Sequence, residues 1–539
     1  MTNYHNIKKE KNLKSKQEYQ QLIIDRHDLL VPQNIREVKG AFFTPKIWAD
    51  KSKEYLKQVF GENWQDEYYI WDCAAGTGNL LAGLTNKYNV WASTIDQSDI
   101  DTMYALIDKG LNLLEKHVFQ FDFLNDDFDK LPNELQNIIG NKQKRKKLII
   151  YINPPYAEAA DIRVVTGSKK ENKINVAKNK THERFEKILG KSNRELFVQF
   201  LSRIYKDING CIIAEFSKLK SLQSPNYKNF RLFFEAALLK SFVVPAYTFD
   251  NVNGKFPIGF KIWNTSQKEI FKETLSEVFN KNGNKICTKK YYSYDNEKNI
   301  NDWLKLFIQK EKEKEELATM CCIGNDFQHT NYVNINFREH LKGVGNAKGI
   351  AKFGITKNNL VETCIYYTVR HIISSKWFMD RDQFLYPNDR WEIDKEFQTD
   401  CLIYTLFNNN IQSKHGINHW IPFTEHEVNA KEKFESNFMS NFLKGKKLSI
   451  NARQVFNSGK RLWQYYHVQI RESKNTSVNT NASFYDIREY FQGRTGKGTM
   501  KNKSNNEKYN SLINDLRNKL KLLANKIQPK VYQYGFLKK

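Results

Sequence analysis

The chain has 539 residues, 40% of them hydrophobic and 14% aromatic, which excludes a protein that is disordered throughout and allows about two to four domains. Its 85 Lys and Arg residues against 60 Asp and Glu give a formal net charge of +25, which favours a polyanionic partner such as nucleic acid. A solvated basic surface, typical of proteins from AT-rich genomes, explains the same charge equally well.

The cysteine and hydropathy patterns exclude further classes of protein. The seven cysteines form no CxxC pair and no Cys/His cluster with zinc spacing, so we expect neither a metal site nor a disulfide framework. No apolar run approaches the length of a membrane helix, about 18 residues, and the Lys-rich N-terminus lacks the apolar stretch of a signal peptide. These patterns predict a cytoplasmic protein that does not associate with membranes.

The first half of the chain alternates short apolar runs with helix-length segments. Residues 1–39 are polar and predict an N-terminal arm, and Pro45 then opens a helix. The alternation predicts a mostly parallel, doubly wound α/β sheet. The last run follows a glycine turn, which suggests an antiparallel edge pair. The predicted strands are Tyr68–Trp71, Val90–Ile95, His117–Phe121, Leu148–Ile152, Cys211–Phe216, Ser241–Val244 and Phe256–Trp263.

Two basic segments interrupt this region. A run of Lys and Arg occupies 142–147, and residues 161–194 hold ten Lys and Arg against four acidic residues. The second segment is predicted to be a long basic loop. Both segments, together with Lys444, Lys446 and Lys447, are candidate phosphate contacts, although each lysine alone is more typical of a solvated surface.

The second half has a different pattern. Beyond about residue 290 the alternation is lost, and the topology of 290–480 is not assigned from the sequence. Helices return after about residue 428. In the last of them a set of apolar residues shares one face, and Pro529 is predicted to end it. These apolar residues are Leu512, Ile513, Leu516, Leu520, Leu523 and Ile527.

A glycine turn follows the first predicted strand. The segment Asp72–Asn79 reads Asp-Cys-Ala-Ala-Gly-Thr-Gly-Asn, and its glycines allow a ligand to approach the backbone. Asp96 ends the next strand, twenty residues after Gly76, where a carboxylate accepts ribose hydroxyls. Leucines replace the third glycine of a pyrophosphate site, which favours S-adenosylmethionine over a dinucleotide. Asp122 follows the third strand and is a candidate acceptor for the adenine amino group of that cofactor, or else a loop carboxylate.

The segment Asn153-Pro154-Pro155-Tyr156 directly follows the fourth predicted strand. The prolines lack N–H groups and fix φ, so the loop is rigid and offers mainly acceptors. The amide of Asn153 and the carbonyl of Pro154 are able to accept from an exocyclic NH2 group, and Tyr156 offers a flat face for a base. A proline-rich turn with an asparagine cap is the structural alternative.

These motifs together resemble the gamma-class N6-adenine DNA methyltransferases over about residues 40–270. Gly40–Pro45 resembles the family's first motif, and the glycine turn, Asp96, Asp122 and Asn153–Tyr156 follow in the family's order. The turn departs from the common form because Cys-Ala-Ala replaces Pro-Ala-Cys. The resemblance implies that Phe256 stacks on the target base, and a plain core residue is the alternative for this position.

The resemblance implies a Rossmann-like methyltransferase domain at 40–285, a mixed α/β target-recognition region at 286–430 and a helical region at 431–539. It implies methyl transfer from S-adenosylmethionine to N6 of a flipped adenine in double-stranded DNA, without a metal, in a restriction-modification or mobile-element setting. A separate restriction or specificity subunit is a possible partner. The implied catalytic residues are Asn153, Pro154, Pro155, Tyr156 and Phe256, and the implied cofactor-binding residues are Thr44, Pro45, Asp72, Ala74, Gly76, Gly78, Asp96, Asp122 and Asn153.

Three alternatives stay open at this point. A protein-glutamine methyltransferase uses the same loop chemistry, but it requires neither the large positive charge nor the long C-terminal extension. An RNA adenine methyltransferase is a second alternative, and a DNA-binding modification subunit that depends on partners is a third. Only 39 residues precede Gly40, which we expect to be too few for a fused nuclease domain.

Overall fold

The protein is described by a computed structural model. It describes residues 44–158, 179–249, 254–308, 316–341, 350–472 and 479–539, and the predicted arm at 1–39 lies outside these ranges. The chain divides into two compact units. The first contains the described residues up to Asp295 together with Trp377–Arg381, and the second contains Asn296–Lys376 and Asp382–Lys539.

The first unit is built on one large sheet. Its strands are β1 Tyr69–Asp72, β2 Val90–Thr94, β3 Val118–Gln120, β4 Leu148–Ile152, β5 Ile212–Lys218, β6 Ala237–Pro245, β7 Pro257–Asn264, β8 Glu273–Phe279 and β9 Lys285–Tyr292. They are arranged in the order β3-β2-β1-β4-β5-β7-β6-β8-β9. The strands β1 to β5 are parallel, and β7 is antiparallel to both of its neighbours. The predicted doubly wound α/β sheet is therefore confirmed.

Helices cover both faces of this sheet. They are α1 Lys46–Phe60, α2 Trp64–Glu67, α3 Gln97–Ile107, α4 Asn133–Gly140, α5 Lys142–Arg145, α6 Lys180–Leu189, α7 Leu196–Asp207, α8 Lys220–Gln223 and α9 Lys228–Phe233. Successive residues of β1 point to opposite sides, so Ile70 packs with α1 and α3, whereas Trp71 packs with α4 and α7. The strands β2 and β4 are buried along their whole length, as central parallel strands require.

The prediction that the seventh strand belongs to a pair at the edge of the sheet is wrong. Strand β7 is antiparallel as expected, but it lies between β5 and β6, in the interior of the sheet. Every residue of Pro257–Trp263 is buried, because both faces of an interior strand are covered. Its one charged residue, Lys261, pairs across the sheet with Glu215 of β5.

The predicted basic loop at 161–194 is partly helical. Residues 159–178 lie outside the described ranges, but Lys180–Leu189 forms α6 and Gly190–Arg194 forms a 3-10 turn. The side chain of Asn179 caps α6 by accepting from the backbone N–H of His182 at 2.7 Å. Phe185 and Leu189 are buried at helical spacing, and this apolar stripe is why the segment is ordered.

The second unit combines a small antiparallel sheet with helices. Its strands β10 Ala318–Cys322, β11 Asn334–Asn336 and β12 Ala351–Ile355 are arranged in the order β11-β10-β12. The helices are α10 Ile300–Leu304, α11 Arg338–Leu341, α12 Leu360–His371, α13 Arg390–Ile393, α14 Lys395–Leu406, α15 Glu425–Val428, α16 Phe438–Leu443, α17 Ile450–Glu472, α18 Phe484–Gln492 and α19 Glu507–Gln533. The C-terminal part of the chain is helical, as predicted.

The sequence predicts that the last helix ends at Pro529, and this prediction is wrong. Helix α19 continues to Gln533 with Pro529 inside it. The proline removes one backbone hydrogen bond, but the turn beyond it is held by burial of Val531 and by an ion pair from Lys530 to Asp394 at 2.8 Å. Tertiary contacts therefore extend the helix past a residue that usually stops one.

Candidate active site at the carboxyl edge of the sheet

The residues predicted to act in catalysis or cofactor binding follow neighbouring parallel strands. Asp72 is the last residue of β1, Asp96 and Asp122 lie two residues beyond β2 and β3, and Asn153 directly follows β4. The carboxyl ends of parallel strands meet at one edge of a sheet, so these four side chains belong to that edge. Because β7 is antiparallel, Phe256 at its start belongs to the same edge.

The glycine turn between β1 and the 3-10 segment Asn79–Leu81 has a left-handed backbone. Gly76 has φ of 52° and Gly78 has φ of 83°, conformations that strain residues with a side chain. The turn closes through the N–H of Gly78, which donates to the Ala75 carbonyl at 2.9 Å. The N–H of Ala75 donates to the carbonyl of Ser93 in β2 at 3.0 Å. The turn is thus fixed by backbone hydrogen bonds, and Ala74, Gly76 and Asn79 are its partly exposed residues.

Asp72 is fully buried at the base of this turn. Its Oδ1 accepts a hydrogen bond from the backbone N–H of Ala74 at 3.0 Å. Burial raises the pKa of its carboxyl group from 3.8 to about 7, and the hydrogen bond from Ala74 only partly opposes that rise. A cation placed beside this carboxyl group would favour its ionised form.

Asp96 and Asp122 have different roles in their own loops. Asp96 is half-buried at the start of α3, and its side chain does not cap that helix. Asp122 accepts from the Leu124 N–H at 3.0 Å and from the Asn125 side chain at 2.7 Å. Asp122 therefore organises its own loop, which was the structural alternative for this residue, and a carboxylate with two such bonds still has lone pairs for a ligand.

The loop that follows β4 has an internal hydrogen bond. The hydroxyl of Tyr156 donates to Oδ1 of Asn153 at 2.5 Å and lies 3.2 Å from the carbonyl oxygen of Phe216. Burial raises the pKa of Tyr156 well above its usual value, so the hydroxyl stays a donor. The ring is only 5% exposed and packs in the core, so the flat face expected for a base is covered in this conformation. Asn153 and Pro155 are half-buried, and Pro154 is buried.

Four charged residues beside this loop were not predicted from the sequence. Lys218, the last residue of β5, donates to the carbonyl of Tyr156 and to Glu195, both at 3.2 Å. Lys220 pairs with Glu195 and, at 3.3 Å, with Glu158. The sequence gives little signal for this cluster, because 23 residues separate Glu195 from Lys218 and a single lysine at a strand end is common.

Thr44 and Pro45 begin the described chain and lead into α1. Thr44 is buried, and the carbonyl of Pro45 accepts from the N–H groups of Trp48 and Ala49. Trp48 attaches α1 to the segment after β6, because its indole donates to Thr248 at 2.7 Å, and Lys53 attaches it to the segment after the glycine turn by donating to the Ala82 carbonyl at 2.7 Å. The first motif is thus anchored next to the glycine turn, while its residues 40–43 lie outside the described ranges.

Phe256 is half-buried just before β7. Its backbone carbonyl accepts from the N–H of Ala246 at 2.9 Å, and its ring packs against the core on the α1 side of the sheet. Both roles considered from the sequence, stacking surface and core residue, are compatible with this position. Within the described ranges, no three His, Cys, Asp or Glu side chains group as a metal site, and no helix is long and apolar enough to cross a bilayer.

No protein-family model and no curated protein matches the chain. Solved structures match it in part. A DrdV–DNA complex is 14% identical with a TM-score of 0.35, over 50% of this chain and 30% of DrdV. A type I restriction-modification methyltransferase subunit from Streptococcus thermophilus is 15% identical with a TM-score of 0.31, over 44% of this chain and 47% of that one.

A third structure is a putative class I S-adenosylmethionine-dependent methyltransferase from Listeria monocytogenes. It is 13% identical with a TM-score of 0.31, over 49% of this chain and 72% of that one. The chain thus spans less than two thirds of the length of the first two structures. All three TM-scores are below 0.5, so the functional conclusion depends on the geometry of the site.

Proposed function

We propose that this protein is a DNA methyltransferase that transfers a methyl group from S-adenosylmethionine to N6 of adenine. The observation that carries the proposal is that the glycine turn, Asp96, Asp122 and the Asn153–Tyr156 loop follow four adjacent parallel strands at one edge of the sheet. This edge is where α/β proteins bind nucleosides. Charge alone would not favour a methyltransferase, and the loop alone would not favour a nucleoside.

The residues at the glycine turn fit the methyl donor. S-adenosylmethionine supplies a methyl group bound to a cationic sulfur. Asp72 offers a buried carboxyl group that a cation would ionise, and Gly76 and Gly78 leave the turn without side chains. Asp96 would accept from the ribose hydroxyls and Asp122 from the adenine amino group. Thr44 and Pro45, which precede α1, would contact the methionine end, as the resemblance implies.

The Asn153–Tyr156 loop would hold the target amine. Oδ1 of Asn153 accepts from the Tyr156 hydroxyl, and an amide oxygen has a second lone pair with which to accept one amine hydrogen. The Pro154 carbonyl would accept the other hydrogen. These two contacts direct the nitrogen lone pair at the methyl carbon, so that the N–C bond forms as the S–C bond breaks. The amine proton then leaves to solvent, and orientation rather than a strong base accounts for most of the acceleration.

The target adenine would have to leave the DNA helix to reach this edge. Phe256 is the half-exposed aromatic side chain placed to stack on it. Stacking on Tyr156 requires the loop to move, because that ring is covered in the described conformation. The net charge of +25 and the second unit of the chain favour a nucleic acid over a protein glutamine, and the order of the motifs, through the family resemblance, favours DNA over RNA.

The test is methyl transfer by the purified chain from labelled S-adenosylmethionine to DNA, RNA or protein, with the product base identified by mass spectrometry. We expect N6-methyladenine in DNA. Asn153→Ala is expected to lower the rate at least about 100-fold while S-adenosylmethionine binding persists, and Asn86→Ala, at a turn where the asparagine is half-buried like Asn153, serves as the matched control. Methylation of RNA or protein instead, or full activity of Asn153→Ala, would overturn the proposal. Sequencing of modified DNA would give the recognition site, and co-purification would identify a restriction or specificity subunit.

A further inference from the structure

The segment that carries the proposed catalytic loop is held from one side by strand β5. Tyr156 contacts this strand at two points. Its hydroxyl lies 3.2 Å from the Phe216 carbonyl, and its own carbonyl accepts from Lys218 at 3.2 Å. The next residue is attached to α7, because the carbonyl of Ala157 accepts from the N–H of Leu196 at 3.1 Å. The position of Asn153 therefore depends on the contacts that hold this segment against β5 and α7.

Charged side chains hold this segment, and they range from the buried Glu195 to the half-exposed Glu158. Glu195 is 1% exposed at the start of α7, and its carboxylate lies between the ammonium groups of Lys218 and Lys220. Glu158, which forms an isolated β-bridge with Glu195, completes the four-charge cluster. The two acidic and two basic residues balance, so each lysine has a carboxylate partner. A buried ion pair holds a fixed geometry when its partners are also hydrogen-bonded, and that condition is met here.

We propose that Lys218 is a positioning residue, which fixes the Asn153–Tyr156 loop by holding the Tyr156 carbonyl while Glu195 holds its ammonium group. This inference rests on the proposed function for its effect on catalysis, but its effect on the loop is independent of any substrate. Lys218 does not touch the target amine. It acts through the backbone of Tyr156, and a displacement of about 1 Å at a reacting group costs on the order of 100-fold in rate.

The charge on Lys218 is sensitive to alkaline pH. Burial lowers its pKa from 10.5 to about 8, with Glu158 opposing the shift and Arg381 reinforcing it. The other charged groups that face it are Glu195 on α7 and Lys220. Above pH 8 the amine loses its attraction to Glu195 and the loop loosens.

The same titration affects the stability of the fold. The folded protein releases this proton before the unfolded chain does, so deprotonation raises the free energy of unfolding between pH 8 and 10.5. As the pH rises from 8 to 10.5, activity is therefore expected to fall while the free energy of unfolding rises.

The first experiment measures hydrogen–deuterium exchange of the backbone at 150–158 in the full chain. Lys218→Met is expected to increase exchange there at least tenfold. Lys220→Met, which removes the same charge from the same cluster but whose native lysine donates to Glu195 and Glu158, is expected to have a smaller effect. Equal exchange in the wild type and Lys218→Met would overturn the inference, whether or not the chain methylates DNA.

The second experiment measures single-turnover methylation with saturating S-adenosylmethionine and DNA. Lys218→Met is expected to lower the rate about 10- to 100-fold, with cofactor affinity within twofold of the wild type and the Lys220→Met rate within about threefold. Lys218→Arg, which stays charged at high pH, is expected to retain most of the rate and to lose the decline above pH 8. The same decline in Lys218→Arg would overturn the inference. If Lys218→Met does not fold, Lys218→Arg and the pH profile decide it.

If the wild type methylates none of the three substrates, the proposed function fails and the exchange measurement alone decides the role of Lys218.

Discussion

The hydroxyl of Tyr156 donates a 2.5 Å hydrogen bond to Oδ1 of Asn153. The bond favours the amide orientation in which the oxygen, rather than the NH2 group, faces the Tyr156 hydroxyl. The opposite orientation of the amide would present its NH2 group, which repels a target amine. Tyr156 therefore has a role in the unliganded protein that does not depend on stacking.

Tyr156→Phe tests this orienting role. The ring and its packing remain, and the hydrogen bond is lost. A hydrogen bond of this kind contributes about 0.5–1.5 kcal/mol, so we expect a two- to tenfold lower methylation rate with unchanged S-adenosylmethionine affinity. The matched control is Tyr151→Phe, which removes a buried hydroxyl bonded to Ser52 on the α1 side of the sheet. Equal rate losses in the two variants, measured per folded molecule, would refute the orienting role.

The affinity for S-adenosylmethionine is expected to depend on pH through Asp72. Its carboxyl group has a pKa of about 7 in the free protein, and binding of a cation requires the ionised form. The dissociation constant should fall about tenfold from about pH 6 to about pH 8 and then level off. Calorimetry in buffers of different ionisation enthalpy would detect the proton released on binding. Asp72→Asn should bind S-adenosylmethionine more weakly, with a dissociation constant that does not depend on pH. A similar pH dependence in that variant would show that a group other than Asp72 titrates.

The same group has the opposite effect on the stability of the free protein. Because folding raises the pKa of Asp72 from 3.8 to about 7, the unfolded chain ionises first as the pH rises. The contribution of Asp72 to stability is complete below pH 3.8 and is lost by about pH 7. Urea unfolding of the wild type and Asp72→Asn should therefore diverge within this window. Parallel pH profiles of the two proteins would contradict the assignment.

A buried ion pair between β5 and β7 is expected to show strong coupling. Glu215 and Lys261 are both 0% exposed, and their side chains approach to 3.1 Å. Lys261→Met leaves a buried carboxylate without its cation, which we expect to cost about 3–5 kcal/mol. The double variant Glu215→Gln/Lys261→Met should recover most of that loss, since the substituted amide still accepts from Trp263 without carrying a charge. Urea unfolding of the wild type, Glu215→Gln, Lys261→Met and the double variant gives the coupling energy. Additive losses of unfolding free energy would contradict the coupling.

Gly459 allows close packing within the second unit. A Cβ at this position of α17 would lie far inside van der Waals distance of the buried ring of Phe407. Alanine favours a helix over glycine by about 1 kcal/mol, yet we expect Gly459→Ala to destabilise the unit by about 1–3 kcal/mol because of overpacking. In a Phe407→Leu background, the same substitution should be neutral or stabilising. Thermal unfolding would measure both, and a stabilised Gly459→Ala single variant would contradict the packing.

Local patterns in the sequence were sufficient for the central sheet. The strand Leu148–Ile152 was predicted with its observed bounds, and the others within a few residues, because continuous apolar runs identify strands buried on both faces. The strands β8 and β9 were missed. They are partly exposed, so no continuous apolar run marks them. The stripe of Thr181, Phe185 and Leu189 would have indicated α6, but the surrounding charges obscured it.

The sequence by itself determined which residues follow the central strands, and therefore the order of the motifs at the carboxyl edge. Only the tertiary structure decided that β7 is inserted between β5 and β6, that Tyr156 turns inward to Asn153, and that Lys218 holds the Tyr156 carbonyl. Strand formation depends on propensity and burial over a few neighbouring residues. The partner of a buried polar group is chosen by free energy summed over contacts that are distant in the chain, and these contacts leave no local pattern.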